Sequence, residues 1–192
     1  MKKKIPVIIV LILLITFTAL YCSTHEYHTD VERYGKWSEQ DRQGKLSVFP
    51  DTVENMQVEE YLYQFSTGLL DSNYQIFLKS KLSKAEYQKE VKRLESISDS
   101  LDGKTQKIHL DNKSFCFPAY VTICNFDFTY EYALVDEENT TIYYVYLQFI
   151  DKENIKFDKE LLPENYLCED KDKIFSIYAY PLENGAGWEM SK

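Results

Sequence analysis

Phe126-Asp-Phe-Thr-Tyr-Glu-Tyr-Ala-Leu134, a polar break, and then Thr141-Ile-Tyr-Tyr-Val-Tyr-Leu-Gln-Phe-Ile150 is the stretch that decides the fold. In the first half Phe126, Phe128, Tyr130, Tyr132 and Leu134 alternate with Asp127, Thr129, Glu131 and Ala133, the period of a strand; the second half is dense in β-branched and aromatic residues. A four-residue loop, Glu137 to Thr140, makes the two an antiparallel pair with Phe128 opposite Phe149, Tyr130 opposite Leu147 and Tyr132 opposite Val145. A slip of one residue would set Glu131 beside Val145 and Asp127 beside Phe149, mixing carboxylates into an apolar face at a cost on the order of several kcal/mol. The favoured register leaves Asp127, Thr129, Glu131, Tyr144, Tyr146 and Gln148 on the opposite face, expected to be solvated and the best candidate binding face in the chain.

Toward the N-terminus a second hairpin is expected. Tyr61, Tyr63 and Phe65 alternate with Leu62 and Gln64, Gly68 to Asn73 breaks the chain, and Tyr74, Ile76 and Leu78 resume, pairing Tyr61 with Leu78, Tyr63 with Ile76 and Phe65 with Tyr74. Ser83-Lys-Ala-Glu86 is a capping box, and Tyr87, Val91 and Leu94 follow at helical spacing, so a helix from about Lys84 to Ser98 should lay that stripe on the sheet. Ser98 to Gly103 starts like a calcium loop, but its twelfth position is His109 where a carboxylate is needed, and it is read as a helix exit. Toward the C-terminus, Leu161-Leu-Pro163 suggests a short helical turn, and Lys173 to Pro181 a last strand. The expected class is α+β: an antiparallel sheet of two hairpins plus a C-terminal strand, with one amphipathic helix packed on it.

Lys2-Lys-Lys4 precedes Ile5 to Cys22, 18 residues without a charge, enough for a helix of roughly 27 Å that would cross a bilayer. The lysines hold that end in the cytoplasm, so the remainder is expected outside the membrane, in a single-pass arrangement. Tyr21 stands where a cleavage site wants a small residue, which favours an uncleaved anchor; the alternatives are a lipoprotein signal with Cys22 as the lipidated residue, and cleavage to a free protein. The chain then divides into a membrane anchor or signal segment, 1–22, a polar stalk or lead-in, 23–44, and one extracytoplasmic domain, 45–192. Removing the three leading lysines leaves 19 Lys and Arg against 31 Asp and Glu, a charge of −12 that disfavours nucleic acid as a partner. Sixteen Tyr and eleven Phe are incompatible with a disordered tail.

Three cysteines fall on the exported side. Cys116 and Cys124 are eight residues apart in an extended stretch, so a bridge from Cys168 to one of them is expected, with three unpaired thiols the alternative. No pattern calls for a cofactor or a metal: no C-x-x-C pair is present, and His25 and His28 with Asp30 make too sparse a set. Catalysis has little support. Asp127 and Glu131 lie about 13 Å apart along a strand, wider than a glycosidase pair, and a Cys116–His109 nucleophile has only proximity in sequence behind it.

The lysine start, the apolar run ending near Cys22 and the small Tyr-rich domain beyond it resemble, in layout, the uncharacterised small membrane-anchored or lipoprotein-like envelope proteins of Gram-positive bacteria. That resemblance implies an address and no activity. The expected function is a non-enzymatic binding domain at the cell envelope, its partners the membrane and a protein or cell-wall ligand. The alternatives are a cell-wall hydrolase and an immunity-type protein whose acidic surface meets a basic toxin.

Overall fold

The computed structural model describes residues 25–35, 46–67, 72–101, 104–126, 128–164 and 166–167. The anchor with Cys22, Asp127, Cys168 and the expected strand from Lys173 to Pro181 lie outside them. The class is α+β. Seven antiparallel strands form one sheet, β1 (His25–His28), β2 (Gln57–Thr67), β3 (Ser72–Lys81), β6 (His109–Asp111), β7 (Ala119–Phe126), β8 (Thr129–Asp136) and β9 (Thr141–Gln148), in the order β1-β2-β3-β9-β8-β7-β6. One α-helix among the described residues, α1 (Lys84–Ser96), follows β3, and β4 (Ser98–Leu101) with β5 (Lys104–Lys107) makes a separate two-stranded ribbon.

Both expected hairpins form in the expected register. Tyr61 faces Leu78, Tyr63 faces Ile76 and Phe65 faces Tyr74, while Tyr130 faces Leu147 and Tyr132 faces Val145. The capping box is present, with the Glu86 N–H donating to Ser83 Oγ and the Ser83 N–H to Glu86 Oε2. The helix ends at Ser96, two residues early, because Ser98 begins β4: the expected helix exit is a hairpin. The turn foreseen near Leu161 is a 3-10 turn, Lys159–Leu161.

The expectation of a solvated face does not hold. Between β3 and β9, Leu78 pairs with Tyr144 and Ile76 with Tyr146, so the apolar face of the first hairpin is continuous with the polar face of the second. Each hairpin therefore turns its apolar side to a different face of one sheet, and both faces must be covered. On one, Tyr61, Tyr63, Ile76, Leu78, Tyr144 and Tyr146 pack under Tyr87 and Leu94 of α1 and under Val48 and Phe49. On the other, Leu62, Phe77, Tyr130, Tyr132, Val145 and Leu147 pack under Phe115 and the segment Ile150 to Tyr166.

Covering that second face with irregular chain would bury backbone groups, and the tyrosines answer this. Tyr132 Oη donates to the Leu161 carbonyl at 3.1 Å, Tyr166 Oη donates to the Ile150 carbonyl at 2.5 Å, and Tyr130 Oη accepts the Leu167 N–H at 2.9 Å. These positions thus use the ring for burial and the hydroxyl for satisfaction, which Phe could not do.

His25 to His28 was expected in a stalk but adds to β2 as an edge strand, Tyr27 opposite Gln64 and His28 opposite Tyr63. Four residues are too short to carry a readable period, and the pairing depends on β2 being there. Phe128 and Phe149 were expected to close a regular ladder. Instead both adopt left-handed backbone, φ 53° and 51°, beyond the last pair, Thr129 with Gln148. They still meet, with rings 5.7 Å apart and the Phe149 N–H bonded to the Phe128 carbonyl at 3.1 Å.

Candidate ligand cleft

The described residues do not fill the face covered by the Ile150–Tyr166 segment to its edge. By register His25 and Tyr27 of β1, Gln64 of β2 and Asn73 of β3 share that face. Where the chain leaves β9 through Phe149, it arches over them and leaves a cleft of about 490 Å³, whose far wall is Phe149, Asp151, Asn154 and Lys156. That volume lies within the roughly 300–1,000 Å³ of small-molecule pockets.

The far wall is fixed by a buried amide. Gln75 is fully buried, and its Nε2 donates to the Asn154 carbonyl at 3.3 Å while its Oε1 accepts the Lys156 N–H at 2.7 Å. One side chain thereby holds two backbone groups of the arch, the Asn154 carbonyl and the Lys156 N–H. Gln75→Leu is expected to cost about 2 kcal/mol, the penalty for two orphaned backbone groups partly relieved by water at the cleft. Urea denaturation measures the loss, and amide exchange should quicken at Lys156 while the β8 amides keep their protection. Unchanged exchange at Lys156 would contradict the assignment.

Two of the lining residues are aromatic: Tyr27 is 52 % exposed and Phe149 half-buried, its ring 5.7 Å from that of the exposed Phe128. Bulky residues in the left-handed region cost on the order of 1–2 kcal/mol each, and Phe128 and Phe149 lie just beyond Thr129 and Gln148, where the regular β8–β9 ladder ends.

The residues singled out from sequence lie elsewhere. Thr129, Glu131, Tyr144 and Tyr146 are buried and Gln148 is half-buried, accepting the Tyr146 hydroxyl at 2.9 Å; Asp127 is outside the described residues. Glu131 Oε1 accepts the Val48 N–H at 2.9 Å. Tyr144 Oη donates to Glu90 Oε1 at 2.8 Å, Arg93 holds both Glu90 oxygens at 2.5 and 2.9 Å, and Arg93 Nη2 also donates to the Val48 carbonyl at 2.5 Å. Both backbone groups of Val48 are thus held by ionisable side chains, one from β8 and one from α1, and this network ties the covering segment to the sheet. Burial pushes the Tyr144 phenol well above its usual value, reinforced by the Glu90 carboxylate. Burial works against the charge on Arg93, but its hydrogen bond to Glu90 and the attraction of that carboxylate outweigh it and raise its pKa.

Cys116 is an exposed free thiol among the described residues, and burial nonetheless pushes its pKa up; Cys168, the expected partner of Cys116 or Cys124, lies outside them. Among the described residues no three His, Cys, Asp or Glu side chains come together as a metal set, and no helix is long and apolar enough to cross a membrane.

Sequence reasoning missed the cleft because its residues come from three places it read separately: the lead-in, the polar positions of the first hairpin, and the connection after β9. The one local signal was the alternation of His25-Glu-Tyr-His28, too short to weigh. No family model, curated protein or solved structure matches the chain.

Proposed function

We propose that this chain is a non-enzymatic binding module held at the outer side of a membrane by residues 5–22, with the cleft beside β1 as its binding site. The observation that carries the reading is the cleft itself: an amide-pinned arch set over the sheet residues beside β1, with the half-exposed ring of Tyr27 in its lining. Among the described lining residues Asp151 is the one carboxylate, which supports binding over the hydrolytic alternative, since a glycosidase needs a pair. The apolar run supports the address. From Cys22 to His25 is three residues, at most about 11 Å of extended chain, so a membrane-spanning anchor would hold the β1 side of the domain against the headgroups with no stalk between.

The test is fractionation with protease mapping of the cells. The full chain should sediment with membranes and be digested from outside in intact cells, and deleting residues 2–22 should move it out of the membrane fraction. Recovery of the intact chain in the soluble cytosolic fraction would sink the address and the role with it. Crosslinking on intact cells reads the binding half: a partner should be captured by the wild type and lost in Tyr27→Ala.

A further inference from the structure

We infer that the cleft takes a neutral carbohydrate of one to two pyranose rings. This inference rests on the reading of the chain as a binding module and names its ligand. Three features of the walls select the class together. The first is a pair of aromatic residues in the lining that come from different elements, Tyr27 from β1 and Phe149 from the arch. A pyranose with equatorial hydroxyls has an apolar C–H face, and its burial against a ring is driven by the removal of apolar surface from water.

The second is the set of primary amides. Gln64, Asn73 and Asn154 line the cleft, two from the sheet and one from the arch. Each side chain carries a donor and an acceptor on one rigid plane, which matches neighbouring hydroxyls that must donate and accept at once. The third is charge balance: among the described lining residues Asp151 and Lys156 carry one charge of each sign, a lining without the excess of positive charge that a phosphate or polyanion site uses. A peptide added to the outer edge of β1 would use main-chain groups of that strand and would leave the three amides without a task.

Phe149 makes the inference unusually testable. With φ 51° it occupies a backbone conformation that Gly adopts freely, so Phe149→Gly removes the ring while easing the backbone. Tyr27 is half exposed on an edge strand, and Tyr27→Ala removes the other ring with little packing lost.

The experiment is calorimetric titration of the full-length protein in detergent with cellobiose, di-N-acetylchitobiose and maltose; glucose 6-phosphate and an uncharged hexapeptide are the comparators. At least one disaccharide is expected to bind with Kd of about 1 mM or below and with little dependence on salt. Each single variant should weaken it about tenfold or more, with the melting temperature of Phe149→Gly equal to or above that of the wild type. The inference is overturned if no disaccharide binds, if only the phosphate or the peptide binds, or if both variants bind as the wild type does. Loss of a crosslinked cell-surface partner in both variants, with no disaccharide bound, removes the carbohydrate and leaves the binding module. A partner retained in both variants removes the site as well.

Discussion

Raising the pH from about 10 to about 12 is expected to unfold this domain cooperatively, with a steepness set by its buried tyrosines. Burial pushes the phenols of Tyr144, Tyr146 and Tyr166 above the ordinary value near 10, with the carboxylates of Glu90 and Glu131 and the neighbouring Tyr130 adding to it in turn. Tyr87 and Tyr120 are pushed up to about 12, chiefly by burial. The folded pKa is raised, so the protonated phenol is the form that fits the fold. Below about pH 10 both states hold the proton and the stabilisation is complete. Above it the unfolded chain releases protons first, and stability falls until the folded values are reached. Within that window each tyrosine kept neutral contributes a slope of about 1.4 kcal/mol per pH unit, so three of them could consume a typical domain stability of about 5–15 kcal/mol within two to three units. Circular dichroism melts from pH 8 to 12, with phenolate absorbance followed in parallel, check this. A melting temperature flat to pH 12, or phenolate signal rising before the fold is lost, would contradict it.

Arg93→Ala is expected to cost about 3 kcal/mol, more than its partly exposed position suggests. The guanidinium is one third exposed, but Glu90 beneath it is 11 % exposed in its side chain and also receives the Tyr144 hydroxyl. Removing Arg93 leaves a carboxylate without its counter-charge and the Val48 carbonyl without its donor, and an uncompensated charge costs more than the pair contributes. Adding Glu90→Gln to Arg93→Ala should return about 1 kcal/mol or more, because a neutral amide still accepts from Tyr144 and no charge is stranded. Urea denaturation of the two variants decides it. A single-variant cost under about 1 kcal/mol, or a double variant less stable than the single, would show that Arg93 and Glu90 do not depend on each other.

Both hairpins could be read in advance for a local reason. Alternation in Tyr61 to Phe65 and in Tyr130 to Leu134 fixes which side chains share a face, and four residues between Asp136 and Thr141 leave one register. The helix start was equally local, since Ser83 and Glu86 bond within one turn. The β4–β5 ribbon, the edge strand β1 and the left-handed pair Phe128 and Phe149 were not readable, because each is held by neighbours distant in sequence or by pairing that few residues announce.

What the sequence determined by itself is a set of strands with two-sided patterns and an uncharged apolar run over residues 5–22, because periodicity and hydropathy are properties of consecutive residues. The tertiary structure decided how those sides combine. Pairing β3 with β9 put Tyr144 and Tyr146 on the face of Tyr61 and Leu78, turned a face expected in water into a core, and forced the chain after β9 to cover the other side. Among the described residues that covering stops short of β1, and the cleft stands where it stops. Long-range pairing alone decides such an outcome, because no stretch of consecutive residues records which strand will lie beside it.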